Sequence, residues 1–343
     1  MKKPVLGLFV LALLFPGALA LMSVNLVTAN FTIYLPYITI KSDGSIEPQT
    51  EYITKNGNVY FLTADLPQKC AITIQCSNIV FDGQGHFING SVSYAGYANV
   101  GITLDQVSNV LVKNVQVFGF ANPDIALIAC SQCSLSKVYV ESLKIGGGGD
   151  NTIVYSSIGM FDLLAPGKNR ITRNNITDIL TLQGSNDNVV TENTIFRIFF
   201  WYMECQRNVF LQNNFLCGNH ESFEENHFDK TGIGKANSWD NGSVGNYWLD
   251  YNGTDADGDG IGDTPYFIKS KVYDKPNDKV MEIISAQDNY PLIKPFILPS
   301  PTPEPISTQE PEPFPAPLVA LACAVSVVVI GLGLFLHSIR RKN

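Results

Sequence analysis

The chain has 343 residues, with 23 basic and 31 acidic side chains and a net charge of −8. That balance excludes a nucleic-acid partner, which requires a basic footprint. Only 16% of residues are charged while 45% are apolar, a composition that suits an extracellular β-protein better than an intracellular enzyme.

Residues 1–20 read as a secretory signal peptide: Lys2 and Lys3, an apolar run from Val5 to Phe15, then Ala18-Leu-Ala20 as small-residue cleavage chemistry. Residues 30–55 are irregular and are expected to cap the first coil, because the end of a strand stack exposes unpaired backbone. From residue 56 polar and apolar residues alternate with the period of half-buried strands. One pattern then occurs three times: Asn169-Arg-Ile171-Thr-Arg-Asn174-Asn-Ile176, Asn188-Val-Val190-Thr-Glu-Asn193-Thr-Ile195 and Asn208-Val-Phe210-Leu-Gln-Asn213-Asn-Phe215. Weaker copies surround Asn78, Asn109, Cys133 and Asn151.

A unit that short buries its apolar face only by stacking on copies of itself. The expected fold is therefore all-β, a right-handed parallel β-helix over residues 56–218, with about seven coils of about 20 residues. Stacking places Asn174, Asn193 and Asn213 above one another, about 4.8 Å apart, as an amide ladder. Ile171, Val190 and Phe210 become core. Arg173, Glu192 and Gln212 share an offset, as do Asp178 and Arg197, so opposite charges stack. Asn is expected at the bends, since it tolerates left-handed backbone.

Residues 219–296 break the period and read as a C-terminal cap. They contain Asn237-Ser-Trp239, Gly245-Asn-Tyr247-Trp248 and an Asp/Gly-rich loop. In that loop Asp255, Asp257, Asp259 and Asp263 take positions one, three, five and nine of an EF-hand-like loop, with the Ile261 carbonyl at seven and Gly260 in the tight turn. Hard oxygen donors at this spacing suit structural Ca²⁺. Tyr266 replaces the bidentate Glu, so a further ligand is expected from Asp240, Asp250 or Asp288.

Asn-x-Asn coils followed by this Trp/Tyr- and Asp/Gly-rich tail resemble the NosD-type β-helix family of the pectin-lyase-like superfamily, over roughly residues 56–296. Such tails are frequent on archaeal cell-surface proteins. The resemblance implies a β-helix of the kind found in carbohydrate-binding proteins and sugar hydrolases. Copper delivery belongs to one branch of that family, and no residue here matches it.

After the cap, residues 297–317 are Pro-rich, with eight prolines between Pro299 and Pro317, and are expected to form an extended stalk of up to about 59 Å. Leu318–Ile339 runs for 22 residues without Asp, Glu, Lys or Arg, His337 being its one titratable imidazole, is about 33 Å long as a helix, and matches a bilayer core. Arg340, Arg341 and Lys342 come next, so 340–343 is a cytoplasmic tail and the body faces outward.

Six cysteines lie outside that span, and Cys70, Cys76, Cys130, Cys133, Cys205 and Cys217 are disulfide candidates, nearest pairs first. Cys130-Ser-Gln-Cys133 lacks the thioredoxin-like surroundings of a redox motif. Cys217, His220, Glu224 and His227 cluster without a zinc spacing. Glu141, Asp162, Asp178, Glu192 and Glu204 fall on different offsets, not on one catalytic groove. Phe199, Phe200, Trp201 and Tyr202 form a candidate sugar-stacking strip, which alternation sends half inward. Asn30, Asn89, Asn175, Asn241 and Asn252 begin glycosylation sequons. The whole reads as a membrane-anchored extracellular β-helix that binds carbohydrate or belongs to the cell envelope, with a polysaccharide lyase or glycosidase as the rival.

Overall fold

The computed structural model describes residues 37–90, 100–121, 123–164, 167–200, 205–217, 237–274 and 279–297. All belong to one compact unit. The described residues are strands and turns, and no helix among them is long and apolar enough to cross a membrane. The signal-like segment, the Pro-rich segment from residue 298 onward, the apolar run Leu318–Ile339 and the tail lie outside them.

Four short strands open the fold: β1 (Tyr37–Ile40), β2 (Ile46–Glu47), β3 (Ile53–Asn56) and β4 (Val59–Leu62). β2 pairs antiparallel with β1, and β3 antiparallel with β4. Reversed strands thus cover two edges of the stack at this end, which blunts edge-to-edge association. Then come β5 (Ala71–Ile74), β6 (Val80–Asp82), β7 (Phe87–Asn89), β8 (Ile102–Asp105), β9 (Leu111–Phe118), β10 (Ile125–Ser131) and β11 (Ser134–Gly149). The regular coils hold β12 (Thr152–Val154), β13 (Ser157–Leu164), β14 (Arg170–Thr172), β15 (Asn175–Leu182), β16 (Val189–Thr191), β17 (Thr194–Phe200), β18 (Val209–Leu211) and β19 (Asn214–Phe215). The cap adds β20 (Tyr247–Trp248), β21 (Tyr266–Asp274) and β22 (Lys279–Asp288).

From β4 to β20, successive coils pair in parallel, in register apart from shifts after Ile158 and Ile176, giving a solenoid of about seven turns with three sheet faces. The first face stacks Thr39, Thr73, Thr103, Ala126, Lys144, Asp162, Thr181 and Phe199. The second stacks Val59, Val80, Leu111, Ser134, Thr152, Arg170, Val189 and Val209. The third stacks Phe87, Gln116, Tyr139, Ser157, Asn175, Thr194 and Asn214.

These rows lie on the outward side of the strands, where Ala126, Phe199 and Asn214 are nonetheless covered; their neighbours in sequence fill the core. In the three clearest coils Ile171, Val190 and Phe210 stack in one column and Ile176, Ile195 and Phe215 in another, all fully buried. Each such side chain contributes roughly 1.5–3 kcal/mol by leaving water. Equivalent residues in the regular coils are 18, 19 or 20 positions apart. Nearer the N-terminus the separation reaches 31, which is why the early copies look degenerate in sequence.

Candidate functional site

Two internal ladders hold the corners of the coils. In one, the side-chain oxygen of each Asn accepts both the backbone N–H and the amide N–H of the Asn one coil earlier. The Nδ2–Oδ1 distances are 3.0 Å for Asn174 to Asn193, 3.0 Å for Asn193 to Asn213 and 3.0 Å for Asn213 to Asn246. Ser156 begins this ladder by donating its N–H to Asn174. The other ladder runs from Asn151 through Asn169, Asn188 and Asn208 to Asn237, at 2.8–3.1 Å. Asn237 and Asn246 belong to the stretch that reads as aperiodic, yet they continue both ladders. A loop of Asp240 to Gly245 separates them by nine positions where the coils have five, and this hides the repeat.

In the early coils Asn78, Asn109 and Asn114 take the left-handed bend, with φ of 61°, 53° and 51°, as the sequence suggests; in the regular coils the bend chemistry differs. The ladder Asn is not the left-handed residue; its predecessor is. Arg173, Glu192 and Gln212 have φ of 57°, 58° and 53°, and Asp187 and Arg207 have 59° and 58°. Non-Gly residues there cost on the order of 1 kcal/mol each, and the ladder bonds behind them hold the geometry. Outside the corner, Arg173 pairs with Glu192 at 2.6 Å and with the Tyr155 hydroxyl at 2.7 Å, and Arg197 approaches Asp178 at 3.9 Å. Arg207 pairs with Asp187 through two bonds of 2.7 Å. Arg173–Glu192 and Arg197–Asp178 are the stacked opposite charges expected from the offsets, and Arg207–Asp187 is a further one.

The ladder that passes through Asn246 ends on a carboxylate. Asp288 is fully buried. Its Oδ2 accepts from Asn246 N at 2.7 Å and from Trp248 Nε1 at 2.9 Å, and its Oδ1 accepts from Tyr290 N at 3.0 Å. Burial pushes its pKa up to about 6, against the lowering pull of those donors. Any side chain at Gly245 would collide with this carboxylate. Beyond it, aromatic rings close the core. Phe210 stacks on Trp239 at 4.4 Å, and Phe215, Trp248 and Tyr266 stack in series at 4.5 Å and 4.4 Å.

In the acidic loop, Asp255, Asp257 and Asp259 each bring one oxygen within 4.8 Å of the others. A cation with oxygen ligands at about 2.4 Å spans that triangle. Asp255 also accepts from Gly258 N and Gly260 N, and both glycines have positive φ. Asp263 is turned away: its Oδ2 accepts from the Thr254 hydroxyl and Ala256 N, closing the loop neck. Ile261 donates its N–H to Asp259 and bridges to Leu292. The three carboxylates considered as extra ligands are engaged elsewhere. Asp288 ends the ladder, Asp240 accepts from both nitrogens of Asn289, and Asp250 accepts from the Tyr266 hydroxyl. Two exposed carboxylates and the half-buried Asp255 fit a modest Ca²⁺ site completed by water.

Cys70, Cys76, Cys130, Cys133 and Cys205 are free thiols. Cys70 and Cys76 flank β5, whose extended residues alone span about 10 Å, more than the roughly 7 Å a disulfide allows between Cα atoms. Burial pushes Cys70 up to about 11. Cys130 and Cys133 do interact, both fully buried, at the corner where the Asn151 ladder begins. Their shared hydrogen bond lowers the Cys130 pKa and raises that of Cys133. Cys205 is buried and Cys217 half-buried.

Glu192 and Asp178 are the ion-pair members above, Asp162 stacks beside Lys144, and Glu141 accepts from Gly119 N at 3.2 Å. A carboxylate missed in the sequence is Asp124, fully buried, which accepts from the N–H groups of Phe120, Glu141 and Ser142. Burial raises its pKa. Phe199 and Phe200 are buried. Asn89 and Asn175 lie on the outward side of the third face, Asn241 and Asn252 in the cap. Asn30, Trp201, Tyr202, Glu204, His220, Glu224 and His227 lie outside the described residues. No protein-family model matches the chain, and comparison with curated proteins finds no significant similarity.

Proposed function

We propose that this is a membrane-anchored extracellular protein whose β-helix binds carbohydrate, or serves in the cell envelope, without turning it over. The observation that carries this reading is the outward surface of the solenoid. It repeats hydroxyl, amide and aromatic side chains at one rung spacing, and a polymer of sugar units is the repeating ligand that such a surface complements. The right hand follows from the strong bias of parallel strand connections. The NosD-type likeness of coils plus tail points the same way. The signal-like residues 1–20 and the apolar Leu318–Ile339 before Arg340 support the topology.

A glycan array probed with residues 30–296 tests this, together with assays for reducing ends and unsaturated products. Binding without turnover is expected. Turnover that survives purification and dies in one carboxylate variant would overturn the choice.

Within the cap, Ca²⁺ at Asp255, Asp257 and Asp259 is proposed as a structural ion that holds the loop against Leu292. At millimolar Ca²⁺ and a Kd of about 10⁻⁴ to 10⁻³ M, it stabilises by ~0.4–1.4 kcal/mol. EDTA should lower the Tm by a few degrees, and Asp257→Ala should remove that sensitivity. Equal melting with and without chelator refutes the ion.

A further inference from the structure

The third face carries two exposed rings in one row. Phe87 is 38% exposed and Tyr139 is 49% exposed. They are separated by the single rung of Gln116, with which both are in register. Two rungs of a parallel stack place them about 9.6 Å apart, on side chains that stand out from the sheet. Phe118 packs against Phe87 with ring centres 5.9 Å apart and a tilt of 39°, which fixes one platform. The row then continues as Ser157, Asn175 and Thr194, without a formal charge. The charges beside the row are carboxylates, Asp65, which accepts from Phe87 N at 3.1 Å and meets His86, and the exposed Glu141 two residues after Tyr139, while Arg173 and Glu192 pair at the neighbouring corner.

From this juxtaposition we propose that Phe87, Gln116 and Tyr139 form a subsite for a linear, uncharged glycan chain lying along the solenoid axis. This deepens the carbohydrate reading above and rests on it. The apolar C–H face of a pyranose stacks on an aromatic ring, and its rim hydroxyls need donors and acceptors in the ring plane. Two rings spaced by two rungs meet alternate sugars of an extended chain. The Gln116 amide between them reaches the intervening sugar with both a donor and an acceptor. An anionic polysaccharide would require cations, and this row has none. An apolar protein partner would leave the Gln116 amide unpaired.

The test is calorimetric titration of the membrane-solubilised full chain with cello-, xylo- and manno-oligosaccharides, after enzymatic removal of any glycans at Asn89 and Asn175, which share this face. At least one series should bind. Phe87→Ala and Tyr139→Ala should each weaken it roughly fivefold, as loss of one stacking contact does. Tyr139→Phe should retain affinity, and so should Tyr37→Ala, which removes an exposed ring from the first face. Both test positions are on the surface, and an unchanged Tm confirms the fold. If the chain binds a series and the two alanine variants bind it equally well, the subsite is wrong while the carbohydrate reading stands. If the intact chain binds none of the three series but another glycan on the array, the uncharged-chain assignment falls. If it binds no glycan at all, the carbohydrate reading falls and takes the subsite with it.

Discussion

A ladder asparagine uses all four of its hydrogen-bonding valences. Asn193 accepts from the backbone and side-chain nitrogens of Asn174, and its own amide donates to Asn213 Oδ1 and to the Ile171 carbonyl at 2.8 Å. Asn193→Ala leaves buried partners unpaired on both neighbouring coils, so a loss of about 3 kcal/mol is expected in urea denaturation. Asn193→Asp should be worse, because a carboxylate oxygen would then face a carbonyl with no proton between them. Asp288 makes the opposite point, since at the ladder end every neighbour that meets it is a donor. Its folded pKa of about 6 lies above its ordinary 3.8. Its stabilising contribution is therefore complete below about pH 4 and is lost as pH rises through about 6, amounting to at most ~3 kcal/mol. Asp288→Asn keeps an accepting oxygen and does not titrate. The stability of the variant relative to the parent should rise across that window; a difference that stays flat from pH 4 to pH 7 would refute the assignment.

At the scale of the strand and the corner, legibility in the sequence follows periodicity. The Asn pairs of the three regular coils, the apolar positions beside them and the stacked charges were readable because the spacing barely varies there. The left-handed positions were not, because Arg173, Glu192, Gln212 and Tyr155 share a backbone conformation and no chemistry. Phe87 and Tyr139 were hidden because the early coils differ in length, so no fixed offset links them. The acidic loop was readable as a local motif, while the rotation of Asp263 toward Thr254 depends on backbone geometry. In the cap, Trp248 shows how an element is tied twice: its ring lies between Phe215 and Tyr266, and its N–H meets Asp288. Trp248→Phe keeps the stack and loses that bond, an expected cost of about 1–3 kcal/mol. Trp248→Ala loses both, about 3–5 kcal/mol. Equal destabilisation by the two would show that stacking contributes nothing.

For the molecule as a whole, each coil touches only its neighbours, so the solenoid behaves as a one-dimensional stack. That property makes excision of a coil a sharp test of the architecture. Removing residues 189–208 joins Asn188 directly to Val209, and the spliced chain reads Asn188-Val209-Phe210-Leu-Gln-Asn213. Asn213 then takes the rung that Asn193 held, Phe210 replaces Val190 under the same column, and the Trp239 and Trp248 cap docks on an unchanged last coil. The shortened protein should fold cooperatively with a β-sheet circular dichroism spectrum. Its denaturant m-value should fall by roughly one part in seven, because m follows the surface buried. Removing residues 189–198 instead takes out half a coil. Asn188 is then followed by Phe199, Asn193 and its corner are gone, and every later residue lies half a coil away from the partner it needs, so both ladders are cut. Such a chain cannot satisfy the cap and the coils together, and its cooperative transition should be lost. If the half-coil deletion folds as well as the whole-coil deletion, the stability does not come from rung-to-rung registration.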